Sequence, residues 1–424
     1  MRGLRVAALA SVLDLFVLEP ANGMPAIKTA VRITLVISSL AGGGAERVAT
    51  NMANYWAGKG WKITILTLFH GAGAPAYDIV PEVVHSDLRL STNAGQMPDR
   101  EPLIECLIAL RGILANLSGS ERDSLLPDLI LLGRLRHAIK NTHPDSVISF
   151  IELTNIRVLL ATMGLDLPVI VSEHCDPNFN SVSAGIDLLR RRLYPAARYV
   201  VTLTDEAMSF FAGVTGIRGK VIPNPALPAI CLPQDKTDTK KNGMVLLGMG
   251  RLSHEKGFDL LLRAFAIIKN QHPRWSLEVW GQGPLLASLE RLTATLGLSD
   301  RTRFRGFTRT PSRAMRRADL FVLSSLCEGF PNVLCEAMAS GLPVVSFDCP
   351  SGPRHIIRHD IDGLLVEPCN ISALAEALDR LMGDDKERMR LASRAPEVVS
   401  RFAIEKTMDI WEQALTSNSG AMVA

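Results

Sequence analysis

No stretch of this sequence stays apolar over the length that a membrane-spanning helix needs, about 20 residues. Paired cysteines are missing too. The seven cysteines are odd in number, widely spaced and without a C-x-x-C pair, which argues against a disulfide framework and a zinc site. A reducing compartment fits that usage best. Strong charge of either sign is absent, and a net charge of +3 is too small to imply a nucleic-acid partner. No internal repeat appears beyond two similar halves. The glycine-rich turn after the first apolar run has no Gly-Lys-Ser/Thr behind it, so it is not a Walker loop. Nor is that run followed by G-x-G-x-x-G and a ribose-binding acid, which disfavours a dehydrogenase.

What is present is an ordinary globular composition, 47% apolar and 21% charged, in 424 residues. That length is long for one core and comfortable for two domains. The opening MRGLRVAALASVLDLFVLEPANG has a basic start and an apolar middle. Asp14 interrupts the run and no small-x-small cleavage site follows, so a signal peptide is a poor fit. Residues 1–30 are expected to be an N-terminal extension, of which 1–23 are mis-started or weakly membrane-seeking, with Met24 as a natural start.

The chain is organised around residues 319–347. Leu320 to Leu323 is a short apolar run bounded by serines, the pattern of a buried parallel strand. A polar turn with Glu328 follows, and Pro331 is expected at the first helical position, where its missing N–H costs nothing. Asn332 to Ala339 has helical composition, Gly341 ends it, and Leu342 to Phe347 reads as a second strand. Ligands in open α/β sheets bind beyond the carboxyl ends of the strands. Free N–H groups at the helix start, near Asn332 and Val333, attract phosphates. Glu328 and Glu336 then flank a bound nucleotide diphosphate, as carboxylates suited to hydroxyl-rich partners. The bland alternative is a solvated turn residue and a surface helix position.

The first half reads as strands and helices in alternation. Val31 to Ser38 is a buried strand, followed by a glycine-rich turn containing Gly43 and Gly44, where backbone can approach a ligand closely. Residues 86–125 read as a variable excursion with one helical stretch, Leu103 to Leu117. His174 follows the strand Pro168 to Ser172 and is expected on the cleft side. The triplet Arg190-Arg191-Arg192, with Arg134, Arg136, Lys140 and Arg198, reads either as solvated helix faces or as a patch for anionic lipid head groups or an acceptor pyrophosphate. Residues 226–242 have linker composition. After the strand Met244 to Met249, Arg251 and Lys256 stand five apart in one turn, able to close on a diphosphate. Asp360-Ile361-Asp362 is read as a turn, not a metal motif.

Glu328 and Glu336, seven residues apart within EGFPNVLCEAMASGLPVVSFDCPSGP, resemble the signature of family 4 of the retaining glycosyltransferases. The wording is most like bacterial N-acetylgalactosaminyltransferases that extend lipid-linked oligosaccharides. The resemblance runs from about Val31 to the C-terminus. It implies a GT-B fold, two Rossmann-like doubly wound α/β domains facing across a cleft. Expected domains are an acceptor-side domain at 31–225, a linker at 226–242, a nucleotide-sugar domain at 243–400, and a final helix at 401–424 crossing back. The implied activity moves a hexose or N-acetylhexosamine from a nucleotide sugar, expected to be UDP-linked, to a lipid-linked or polysaccharide glycan.

By that resemblance Gly43, Gly44, Arg251, Lys256, Asn332, Val333 and Glu336 bind the donor. Glu328 and His174 act at the sugar. No cofactor or metal is expected, the nucleotide sugar being a substrate. Expected partners are that donor, a glycan or polyprenyl-diphosphate-linked acceptor and the inner face of the cytoplasmic membrane, with a cytoplasmic or peripheral location. The competing readings are a UDP-sugar 2-epimerase and a non-catalytic sugar-nucleotide binding protein.

Overall fold

A computed structural model describes residues 30–70, 74–90, 129–179, 182–229 and 243–417. The expected extension, the helical stretch Leu103 to Leu117 and most of the linker lie outside the described residues. Both sheets belong to one compact unit that begins at Arg32.

The first sheet contains β1 (Arg32–Ile37), β2 (Lys62–Thr67), β3 (Val84–Asp87), β4 (Ser146–Phe150), β5 (Val169–Ser172), β6 (Tyr199–Thr202) and β7 (Gly219–Val221). Its order is β3-β2-β1-β4-β5-β6-β7. The second contains β8 (Met244–Met249), β9 (Trp275–Trp280), β10 (Thr302–Gly306), β11 (Leu320–Leu323), β12 (Val344–Phe347) and β13 (Leu364–Val366). Its order is β10-β9-β8-β11-β12-β13. The pairs are parallel, with Leu35 opposite Ile65 and Leu320 opposite Leu246. Parallel sheets need helices on both faces, which is why their strands are apolar throughout. Alternate residues divide between the layers. Leu246, Val322 and Val345 pack with Leu261, Phe265, Leu378 and Leu381. Their neighbours Leu247, Phe321 and Val344 pack on the other face with Leu334, Met338 and Ile356. The expected α/β architecture of two doubly wound domains is the one observed.

Several local expectations change. Pro331 is the cap, not the first helical residue, with extended backbone at φ −72° and ψ 98°. Its carbonyl accepts from Leu334 and Cys335 N–H, so the helix opens at Asn332. The second strand of that unit starts at Val344 rather than Leu342. The segment read as an excursion from residue 86 overlaps the end of β3, a half-polar edge strand that pairs Leu66 with Ser86. The last helix is Ile404–Thr416, set apart from Glu397–Arg401 by a break at Phe402.

The basic-patch reading fails for its buried members. Arg190 is 1% exposed, donating to Asp187 at 2.9 Å and lying 3.6 Å from Glu173. Arg136 is buried and donates to the carbonyls of Ala161 and Met163 at 2.9 and 2.8 Å. These guanidiniums brace the fold from inside and are not presented to a surface. Asp360 and Asp362 do lie in a turn, paired with Arg380 and Arg358. Among the described residues no helix is long and apolar enough to cross a membrane.

Candidate active site

Four loops leave the carboxyl ends of β1, β5, β8 and β11, where a doubly wound sheet binds its ligands. The β8 loop carries Arg251, exposed, and then a single 3-10 turn, His254–Lys256. Gly257 follows in the left-handed region at φ +59°, where a Cβ would stand 2.1 Å from Ser324 O. Only glycine lets these two loops touch backbone to backbone. Ser324 Oγ donates to Lys256 O at 2.9 Å, and Leu326 N–H donates to Glu255 O at 2.8 Å. The turn is thus sewn to the β11 loop.

That stitching sets Lys256 beside Glu328. Lys256 Nζ donates to Glu328 Oε1 at 2.6 Å, and Ser325 Oγ donates to the same oxygen at 2.6 Å. Burial by itself would lower the Lys256 pKa, but the Glu328 carboxylate outweighs it and holds the ammonium above its ordinary value. The lysine is a fixed positive charge with donors to spare, since an ammonium has three. The helix Asn332–Ala339 starts just after this turn, with no side chain capping its first N–H groups.

From the first domain, the β1 loop delivers Gly43 and Gly44 to the start of the helix Gly44–Gly58. Asn332 Nδ2 donates to Gly44 O at 3.1 Å and accepts through Oδ1 from Asn224 Nδ2 at 3.0 Å. Glu336 is not a surface helix position. It is paired with Arg47 of the helix Gly44–Gly58, and burial raises its pKa while Arg47 opposes the rise.

His174, two residues beyond β5, has its Nε2 3.2 Å from Ser172 Oγ, and its ring centroid lies 5.3 Å from that of Phe150. Burial lowers its pKa to about 4, so the ring is neutral near neutral pH. Its carbonyl lies against Gly329, where a Cβ would come within 2.4 Å. The β5 loop therefore meets the Glu328 turn directly. Behind it, Glu173 accepts from Tyr194 OH and faces Arg190, with its pKa raised by burial to about 7. Further links between the domains are Thr204 Oγ1 to Ser351 Oγ at 2.9 Å and His355 Nε2 to Glu206 Oε2 at 2.7 Å. The final helix reaches the first domain through Glu412, which accepts from Lys59 at 2.7 Å and from Trp56 Nε1 at 3.2 Å.

Lys256 and Glu328 thus meet in one place, Asn332 and Gly44 in another, with Glu336 a turn further along the same helix. Arg251 lies on the loop of Lys256, with its side chain in solvent. Sequence reading did not single out Arg47, Ser325, Asn224 or Tyr77. Only Arg47 carried a signal, as a cation in the first turn of a helix, where the dipole disfavours it. A cavity of about 660 Å³ lies elsewhere, between β2, β3 and the helix Leu129–Asn141. It reaches Leu90, the last described residue before 91–128, and none of the loops above, so it is set aside.

Residues 42–226 match the family described as Glycosyltransferase Family 4, and residues 234–398 match Glycosyl transferases group 1. An exopolysaccharide phosphotransferase of Streptomyces coelicolor is 29% identical over 88% of this chain. The chain spans only 39% of that protein's length. An undecaprenol-diphosphate-linked glycan α-1,4-N-acetyl-D-galactosaminyltransferase of Campylobacter jejuni is 27% identical over 90% of this chain and 97% of its own. Among solved structures, the Anabaena protein HepE in complex with UDP superposes with a TM-score of 0.70 at 20% identity, covering 92% of this chain and all of that one. At that identity the likeness speaks to the fold. The chain belongs to the glycosyltransferases of the GT-B fold, with a family 4 domain in its first half and a group 1 domain in its second.

Proposed function

We propose that the chain transfers a hexose or N-acetylhexosamine from a UDP-sugar to a lipid-linked or polysaccharide glycan, retaining anomeric configuration and using no metal. The observation that carries this reading is the Lys256–Glu328–Ser325 cluster at the start of an uncapped helix. Breaking the anomeric bond leaves charge on a departing diphosphate, and preorganised cations and N–H groups are what stabilise it. Lys256 turns part of its donor capacity to the phosphates, with Arg251 as a forked partner. The N–H groups of Asn332 and Val333 hold the same oxygens. Glu336 accepts the ribose hydroxyls and Glu328 those of the sugar. Neutral His174 offers a hydrogen bond to sugar or acceptor without adding charge. Gly43 and Gly44 let the β1 loop close on the donor. Arg251 and Lys256 take the part that a divalent cation plays in metal-dependent transferases.

The lipid-linked acceptor and a peripheral position on the inner membrane face rest on the Campylobacter relative's substrate. The test uses purified protein, membranes as acceptor and a panel of labelled sugar nucleotides, with and without chelator. Labelled product without added metal, lost in Lys256→Ala, is expected. Isomerisation of donor without acceptor would make the protein an epimerase. Binding with no UDP release under any acceptor would make it a non-catalytic carrier. Transfer that requires added metal would overturn the metal-free reading.

A further inference from the structure

Glu336 is engaged by the protein itself. Its carboxylate accepts from Arg47 Nη1, which belongs to the other domain. Arg47 stands in the first turn of the helix Gly44–Gly58, beside N–H groups whose dipole disfavours a cation. Its compensation is built from both sides. Glu336 faces it across the cleft, and the Tyr77 ring lies 5.1 Å from its guanidinium carbon. Tyr77 is fixed in turn, its OH donating to Gly43 O at 3.2 Å. Asn332, first residue of the helix that carries Glu336, donates to Gly44 O at 3.1 Å. Two positions one turn apart on the second-domain helix thus grip one helix end of the first domain. The Arg47 and Glu336 side chains are 24% and 20% exposed, so the pair is only partly screened by water.

A carboxylate has two oxygens and accepts at each. Arg47 takes Oε1, which leaves Oε2 for another donor. We propose that Arg47 is a positioning residue of the donor site, holding Glu336 across the cleft so that its second oxygen accepts a ribose hydroxyl. The nucleotide then binds fully only while the two domains face each other as they do here. This deepens the assignment of Glu336 to the ribose and rests on it.

The charge environment supplies a readout that a bystander residue would not move. Burial raises the Glu336 pKa, and Arg47 is what opposes it. The other ionisable groups nearby are Glu46 and Tyr77 from the first domain and Cys335 from its own helix, with Arg401 beyond Cys335. None of these replaces the guanidinium. Without Arg47 the carboxyl takes up its proton at higher pH, and a protonated carboxyl is a poorer acceptor. Donor affinity in an Arg47 variant should therefore fall as pH is lowered, while the parent protein holds steady.

The experiment is calorimetric titration with UDP, and GDP in parallel, at pH 8 and pH 6. It uses the full chain, Arg47→Gln, Arg47→Lys, Glu336→Gln and the Arg47→Gln/Glu336→Gln double variant, each checked for cooperative unfolding. Loss of one charge-assisted contact predicts about tenfold weaker nucleotide binding at pH 8 for each Gln variant. The double variant should bind no more weakly than Glu336→Gln alone. Arg47→Gln should weaken further at pH 6, and Arg47→Lys should recover part of the loss. If Arg47→Gln does not fold, Arg47→Lys against the parent carries the same pH comparison. Wild-type affinity in Arg47→Gln, with Glu336→Gln weakened, overturns the role of Arg47 and leaves the ribose assignment standing. Additive losses in the double variant overturn it as well. Unchanged binding in Glu336→Gln, or no binding of either nucleotide to the parent, removes the ribose assignment and this inference together.

Discussion

In the second domain the strand-end loops are held by backbone pressed on backbone. Gly257 abuts Ser324 O, and Lys256 is carried to Glu328 by that contact. In the first domain the loop after β5 is held by side chains. Glu173, Tyr194 and Arg190 form a buried charged network beneath His174, and Arg190 also lies over the Phe210 ring at 4.7 Å. Backbone packing fixes N–H groups and a cation rigidly, as the proposed diphosphate contact requires. Side-chain bracing leaves the loop's outer face open to different residues. The two domains share one winding and differ in how these strand-end loops are held.

The largest expected effect breaks the side-chain brace. Arg190→Ala leaves Glu173 buried without its cation and should cost about 3 kcal/mol of stability, at the low end for a broken buried pair because Glu173 can take a proton. Chemical denaturation measures it; a loss under 1 kcal/mol would mean the network is not a brace. The second-domain counterpart acts on turnover: Lys256→Ala should slow transfer by about 10²–10³-fold, as for loss of a main charge-stabilising group, while the protein still unfolds cooperatively. Gly257→Ala then sharpens the backbone argument. Its Cβ has no room and its φ is left-handed, so a loss of about 2 kcal/mol is expected. Gly44→Ala meets only Asn332 Nδ2 at 3.5 Å and should change stability by less than about 0.5 kcal/mol. Equal losses at the two glycines would erase the contrast.

The last effect concerns pH and is absent at neutrality. The folded-state pKa of His174 is lowered by burial to about 4, below the ordinary value of about 6.5. The folded state thus binds fewer protons in that interval, and stability falls as pH drops from about 6.5 towards about 4. Above that window the group contributes no pH dependence. Comparing His174→Asn with the parent across pH 4–7 isolates the term, and parallel curves would remove it.

How much of this was readable beforehand follows the same division. The helix Asn332–Ala339 and the strand Leu320–Leu323 were legible because short apolar runs with clear boundaries leave few alternatives. Lys256 and Glu328 were each nameable from their place after a strand. β3 was missed because Val-His-Ser-Asp is half polar and sits at a sheet edge, where no apolar alternation is required. The arginine triplet misled because its first member turns inward to Glu173, and composition alone does not report which way a helix faces. The pairing of Arg47 with Glu336 spans 289 positions, and no spacing rule joins residues of separate domains. Long-range partners are set by how the domains meet, which local pattern does not encode.

The most direct test is a crystal structure of the protein with UDP bound. The diphosphate is expected against Lys256, Arg251 and the N–H groups of Asn332 and Val333, with the ribose on Glu336 while Arg47 keeps its hold on the same carboxylate. A nucleotide lodged away from these groups, with Lys256 still closed on Glu328, would contradict the account.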